Sequence, residues 1–260
     1  MKMSNNIHTH RYSRLMIKVT ALSFIIFLLS LTPARAQQYT GMSGLIHTPT
    51  ADMDSACTVR VGMHAINKHM MPDAFVFEGS KYNTSSWYLS VTPLRWMEIG
   101  YNFTLMKFHR NCDPKAPVGF YSKDRYFSLK LQPINEDRWW PSIAIGGNDV
   151  WGQHDGESGS FYFRNFYGAA SKHFDVGALI IGTHVAYRKW ERDYNHQWEG
   201  VVGGITLQPT IYKPLRLIGE YDGNGINVGA DCCLFRYLLL QLSVQQCKYV
   251  SGGACFTMKL

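Results

Sequence analysis

His47, His64, His69, His109, His154, His173, His184 and His196 are spread singly along the chain. None of them has metal-ligand spacing and no C-x-x-C accompanies them, so neither a metal nor any other cofactor is expected. Nucleophilic catalysis needs a hydroxyl or thiol within reach of a base. Ser171 and His173 share a segment, and are expected to face opposite ways if that segment is a strand. A pair across strands is then the remaining route, with His184 as the base. Glu98 and Glu220 are the carboxylates a glycosidase would recruit, but nothing in their spacing sets them about 5–10 Å apart. No glycine-rich phosphate loop follows a strand and opens a helix. No catalytic residue is assigned, and the chain is expected not to be an enzyme.

The cysteines are Cys57, Cys112, Cys232, Cys233, Cys247 and Cys255. An oxidising compartment permits disulfides. Cys247 and Cys255, flanking the expected last hairpin turn, form the most plausible local pair. Neighbouring Cys232 and Cys233 would project to opposite faces of a strand.

The elements that must carry these residues are short and amphipathic with period two. In Trp96–Leu105, Met97, Ile99, Tyr101, Phe103 and Leu105 share one face, and Glu98, Gly100, Asn102 and Thr104 share the other. Tyr126–Gln132, Gly225–Cys232 and the final segment from Ala254 to Leu260 repeat the pattern, which places successive side chains on opposite faces of a sheet. Twelve such segments are expected, centred near Val61, Leu89, Tyr101, Leu129, Ile145, Ala169, Ile181, Gly203, Ile218, Val228, Leu240 and Phe256. Long polar connections (67–85, 107–124, 151–164 and 188–197) alternate with short ones (92–95, 174–175 and 231–236), and Asp222-Gly223-Asn224-Gly225 is a tight turn on the long side. The fold class that follows is all-β: a closed antiparallel transmembrane β-barrel of about 12 strands. Trp87, Trp96, Trp139, Trp140, Trp190 and Trp198 lie near strand ends, as interfacial girdles would.

In that register Glu220, Asp222, Asn227 and Asp231 face the lumen, with Arg216 and the more distant Lys130, Arg60 and Arg188 to balance them. Glu98 joins them as a candidate lumen-lining residue. Such groups can hydrogen-bond sugar hydroxyls. The simpler expectation is that they tie the wall to itself or to a plug, because small barrels fill their interiors.

Ahead of the barrel, an apolar run from Val19 to Leu31 follows Arg11, Arg14 and Lys18 and precedes Ala34-Arg35-Ala36. It is too short to span a bilayer, which takes about 20 residues, and has the form of a signal peptide over 1–36, cut near Ala36. Translation starts at Met1 or Met16. No cysteine precedes Cys57, so no lipoprotein acylation site is expected in this leader. Five of the 26 basic residues and none of the 19 acidic ones lie in the leader. The remaining near-neutral balance gives no reason to expect nucleic-acid binding. The expected organisation is a signal peptide (1–36), a periplasmic N-terminal segment (37–56) and an outer-membrane barrel (57–260). Within the segment, Gly44–Ala51 should lie at the periplasmic rim or enter the lumen.

Gly41-Met42-Ser43-Gly44-Leu45-Ile46-His47-Thr48-Pro49-Thr50-Ala51, followed by Thr58-Val59-Arg60-Val61-Gly62, resembles the opening of the YjbH-like outer-membrane family. Glu220–Ala230 is similar to that family's late strand-turn-strand signature, and Tyr167–Lys172 to a middle strand. The resemblance implies an outer-membrane barrel tied to exopolysaccharide or capsule production and export in a Gram-negative bacterium. The chain is shorter than the large enterobacterial members and resembles a single barrel domain. The expected function is therefore a non-enzymatic barrel in polysaccharide production, export or envelope assembly. Its partners would be outer-membrane lipid, polysaccharide and other envelope proteins. Tyr162, Phe163, Trp190, Asp193, Tyr194 and Trp198 are candidate surface contacts. The alternatives are an outer-membrane lipid-modifying enzyme and a narrow porin.

Overall fold

The computed structural model describes residues 37–152 and 161–260; the expected leader and His154 lie outside the described residues. Twelve strands close into an antiparallel barrel: β1 (Thr58–Ile66), β4 (Thr84–Leu94), β5 (Met97–His109), β6 (Val118–Ile134), β7 (Ser142–Gly152), β8 (Asn165–Val176), β9 (Leu179–Trp190), β10 (Gly200–Pro209), β11 (Leu215–Tyr221), β12 (Ile226–Leu234), β13 (Leu238–Gln245) and β14 (Tyr249–Lys259). Each pairs with its sequence neighbour, and β1 with β14 completes the ring, Thr58 lying opposite Lys259. Between β1 and β4, β2 (Val76–Phe77) and β3 (Ser80–Lys81) form a small separate ribbon. All twelve expected strand centres fall inside barrel strands. No helix among the described residues is long and apolar enough to cross a membrane.

The alternation has an inverted sense. In β5, Glu98, Asn102 and Thr104 are fully buried, whereas Ile99 is 40% exposed on the outer face. In β11, Arg216 and Glu220 point inward and Leu217 outward. Val61, Phe127, Ile145, Val185, Val228 and Phe256 continue this exposed apolar face around the circumference. A soluble sandwich buries its apolar face against a second sheet; here the polar face is the buried one, and the apolar face forms a belt.

Several connections differ from expectation. β5 and β6 run on to His109 and from Val118, so residues expected in a long loop extend the strands instead. β12 continues to Leu234, which leaves Asp231 in the wall and shortens the expected 231–236 turn to Phe235–Tyr237. Phe235 and Arg236 both take positive φ, as do Gln246 and Cys247 in the last hairpin. Those are the left-handed pairs that twisted hairpins favour, occupied here without glycine or asparagine.

The expected Cys247–Cys255 disulfide does not form, and all six cysteines are free. Cys247 sits in the turn between β13 and β14, whereas Cys255 lies well along β14 opposite Leu239. Cys255 lies six residue steps along the strand from the turn-flanking Tyr249, about 20 Å at strand rise.

Residues 37–54 run through the interior. Gln37–Ala51 are buried throughout, and the chain reaches the short-turn rim at Ser55 before entering β1. At the long-loop end Tyr39 joins Met70, Met71 and Phe75 of the β1–β4 connection and Tyr126 and Phe163 in an apolar cap. Of the six tryptophans expected at the interfaces, Trp87, Trp96, Trp139 and Trp140 face outward. Trp190 and Trp198 do not: both are buried, with ring centroids 6.2 Å apart, and Trp198 packs 5.0 Å from His47 of the interior segment. Phe163 is buried as well, so three of the expected surface contacts are interior residues. The side chains of Asp193 and Tyr194 lie outside the described set.

Candidate functional site

Wall residues expected to line the lumen fall into three groups set by strand register. Glu98 and Lys130 lie opposite each other on β5 and β6, and both hold Ser43. The Glu98 carboxylate accepts the Ser43 N–H at 3.0 Å and its hydroxyl at 2.5 Å. Lys130 Nζ donates to Ser43 Oγ at 2.8 Å, to the Ser43 carbonyl at 3.0 Å and to the Asp52 carbonyl at 2.5 Å. One wall pair thus grips the segment at two points.

The second group is Glu220, Asp222 and Asn227. Glu220 and Asn227 are cross-strand partners on β11 and β12, and Asp222 opens the turn between them. The Glu220 carboxylate accepts N–H bonds from three consecutive residues: Ile46 at 3.0 Å, His47 at 2.8 Å and Thr48 at 3.1 Å. Pro49 follows directly and has no N–H to offer. Asn227 Nδ2 donates to Glu220 at 2.8 Å and to Asp222 at 2.9 Å, and the other Asp222 oxygen accepts the amides of Asn224 and Gly225. Several N–H donors aimed at one buried carboxylate place fixed dipoles around its charge.

Arg216 and Asp231 make the third group, an ion pair across β11 and β12 at 3.0 Å with both side chains nearly excluded from solvent. That pair ties wall to wall. The three groups do not converge on one open binding surface; the first two are committed to the interior segment.

Further wall residues complete the attachment. Arg188 of β9 donates to the carbonyls of His47 at 2.7 Å, Asp222 at 3.0 Å and Trp198 at 3.0 Å, and to His47 Nδ1 at 3.2 Å. Burial, and then the neighbouring guanidinium, push the His47 imidazole down to about 3, so it accepts from Arg188 in the neutral form. Ala51 donates its N–H to Ser171 Oγ at 2.9 Å and accepts from Gln132 at 2.6 Å, and Asp54 pairs with Arg60 at 2.7 Å. Sequence reasoning placed Arg60 and Arg188 as distant counter-charges. It did not identify Ser171, Gln132 or Asp54 as anchors, because only the strand register shows which wall positions meet the segment.

At the short-turn end the interior opens into a cavity of about 540 Å³, lined in part by Asp52, Glu136, His173, Thr206 and Arg216. Beside this cavity Ser171 and His184 meet across β8 and β9, Oγ to Nδ1 at 2.9 Å. Ser171 and His173 both face inward, contrary to expectation, because residues two apart in a strand share a face. The arrangement lacks the geometry of a catalytic triad. Asp52 approaches the same nitrogen that Ser171 occupies, at 4.0 Å, while Nε2 is bonded to Thr206 Oγ1 at 3.2 Å. A triad acid must orient the imidazole from the nitrogen opposite the nucleophile. Ser171 is itself buried beneath the segment whose amide it accepts.

The family model described as "Exopolysaccharide biosynthesis protein YbjH" matches residues 36–228. The protein named "Uncharacterized lipoprotein YjbH" from Escherichia coli (strain K12) is 26% identical over 214 residues, an alignment covering 71% of this chain and 27% of that protein. The chain therefore spans about a quarter of that relative's length. Among solved structures, the outer membrane phospholipase A from Escherichia coli aligns over 79% of this chain and 96% of its own, with a TM-score of 0.34 and 11% identity. A likeness that weak supports no inference about chemistry.

Proposed function

The chain belongs to the YjbH family of exopolysaccharide biosynthesis proteins, and from that premise we propose that it is a sealed outer-membrane barrel acting without bond chemistry in the production or export of exopolysaccharide. The observation that carries this reading is the pairing of an apolar outer belt with a filled interior. Water offers no partner to a belt of exposed Val, Ile, Leu and Phe running round a closed sheet, and lipid does. The interior segment uses the wall's charged groups, and the apolar cap closes the long-loop end. A general diffusion pore needs an open, hydrated lumen, which argues against the porin alternative. A lipid-modifying enzyme needs a nucleophile open to substrate; Ser171 faces the filled interior.

In this reading the short turns and the cavity they surround face the periplasm, where polysaccharide and export proteins would meet the barrel. The leader directs the chain there, cut near Ala36. The test is fractionation with heat-modifiable gel migration, followed by conductance of the purified barrel in planar bilayers. The unboiled protein should migrate faster and come from outer membranes, and its conductance should be close to baseline. Deletion of residues 37–54 should raise conductance while keeping heat-modifiability. A soluble periplasmic protein would refute the membrane reading, and large conductance in the intact chain would refute the seal. A deletion strain with unaltered exopolysaccharide would refute the role in its production.

A further inference from the structure

We infer that the cavity at the short-turn end holds a divalent transition-metal site, best suited to zinc, built from Asp52 of the interior segment and His173 and His184 of the wall. Asp52 Oδ2 lies 3.7 Å from His173 Nε2 and 4.0 Å from His184 Nδ1, and the three ligand atoms lie within 4.8 Å of one another. Zinc bond lengths place tetrahedral ligand atoms about 3.4 Å apart, so modest side-chain rotations bring these three onto one ion. Two imidazole nitrogens and a carboxylate oxygen suit zinc, and the cavity leaves a fourth position for water.

The orientation of the rings is an independent observation. His173 Nδ1 is held by Glu136 Oε2 at 2.7 Å, which turns Nε2 towards Asp52. Thr206 Oγ1 holds His184 Nε2 at 3.2 Å, which turns Nδ1 to the same oxygen. Metal-bound histidines are held in this way, the outer nitrogen hydrogen-bonded to an oxygen acceptor that fixes tautomer and ring angle. Each wall histidine already has that partner on the side away from Asp52. Binding displaces the Ser171 hydroxyl from His184 Nδ1, and Ser171 keeps the Ala51 N–H as a partner. Three nearby cations are engaged elsewhere: Arg216 with Asp231, Lys130 with Ser43, and Lys172 Nζ 3.5 Å from Glu136 Oε1; Arg95 and Lys213 also line the cavity.

The ion would clamp the interior segment to β8 and β9 where it leaves the lumen. This does not depend on which membrane, if any, surrounds the barrel. The histidines sit on different strands eleven residues apart in sequence, with the acid far upstream, so no linear ligand motif exists to be read.

The test uses the full chain without a histidine tag, purified in detergent, stripped by a chelator, and alkylated at its reactive thiols. Zinc is then added in a calorimetric titration and the bound metal counted. One zinc per chain is expected. His173→Ala and Asp52→Asn should abolish saturable binding, and Glu136→Gln should weaken it about tenfold. His69→Ala combined with His109→Ala should change nothing. Heat-modifiable migration reports folding of each variant, and partly exposed His173 is the deciding position. No saturable zinc binding by the intact chain, or undiminished binding by folded His173→Ala, would overturn the site.

Discussion

Glu220→Gln separates a segment fixed by charge from one that merely fills space. The carboxylate accepts three consecutive amides from Ile46, His47 and Thr48, and a fourth bond from Asn227. Hydrogen bonds to a charged group contribute about 1.5–3 kcal/mol each, and neutral ones about half as much. Glutamine keeps the size but offers one carbonyl oxygen, which serves about two of the three amides, and turns an NH2 against the third. The gross loss is about 4 kcal/mol. Removing a buried charge returns part of it, leaving about 3 kcal/mol, or roughly a hundredfold in the local opening equilibrium. Hydrogen exchange read by mass spectrometry reports that equilibrium directly. Peptides spanning residues 44–50 should exchange about a hundredfold faster in the variant, while peptides from β5 and β6 keep their protection. Exchange within about threefold of the unmodified chain would refute the claim that this carboxylate anchors the segment.

Arg188→Met removes the donors to His47, Asp222 and Trp198, and should cost about 3–5 kcal/mol. The temperature at which the unboiled gel band converts should fall accordingly. Gly62→Ala would drive a Cβ into Tyr88 Oη and place it 2.8 Å from the Ala254 carbonyl. It should destabilise the β1–β14 pairing by about 1–3 kcal/mol, visible as a lower urea midpoint. Maleimide labelling of the folded chain should modify exposed Cys57, Cys112 and Cys247, spare buried Cys233 and Cys255, and reach all six after unfolding. His47 carries a folded-state value near 3, below the ordinary 6.5. Between those values the released segment binds a proton that the docked one does not, so docking weakens as pH falls from about 6.5 towards 3. Exchange protection of residues 46–48, corrected for intrinsic rates, should therefore decline with acid, and His47→Gln should flatten that decline.

The strands were legible because their signal is local. Glu98, Asn102 and Thr104 alternating with Ile99 and Phe103 declare two faces without reference to any other part of the chain. The lumen-facing register of Glu220, Asn227 and Asp231 follows from the same periodicity. What these residues touch was not legible. Glu220 meets amides of residues 172 to 174 positions upstream of it, and backbone donors leave no trace in side-chain identity. Trp190 and Trp198 read as interfacial because indole suits both a lipid boundary and a crowded interior, and only the loop's inward fold decides between them. The Cys247–Cys255 pairing failed for a related reason. The last turn, at Gln246 and Cys247, carries neither glycine nor proline, so its position was misjudged by several residues. His173 and His184 look unrelated until β8 and β9 are laid side by side.

The seam between β1 and β14 bears on the order in which the molecule is made. Thr58 pairs with Lys259 across the whole of the barrel sequence, so the ring closes only once both β1 and β14 are in place. Residues 37–54 lie immediately upstream of the first seam strand, yet end up enclosed by the ring that the last strand closes. Threading them into a finished cylinder would drag Ser43, His47 and Thr48 past a wall whose acceptors are already desolvated. Assembling the staves around a segment already in place avoids that barrier. The occupant would then serve as a template during assembly, its amides neutralising Glu98 and Glu220 as the strands come together. Without it, Glu98 and Glu220 would lose the segment's hydrogen-bond donors, and closure should be slower as well as less stable.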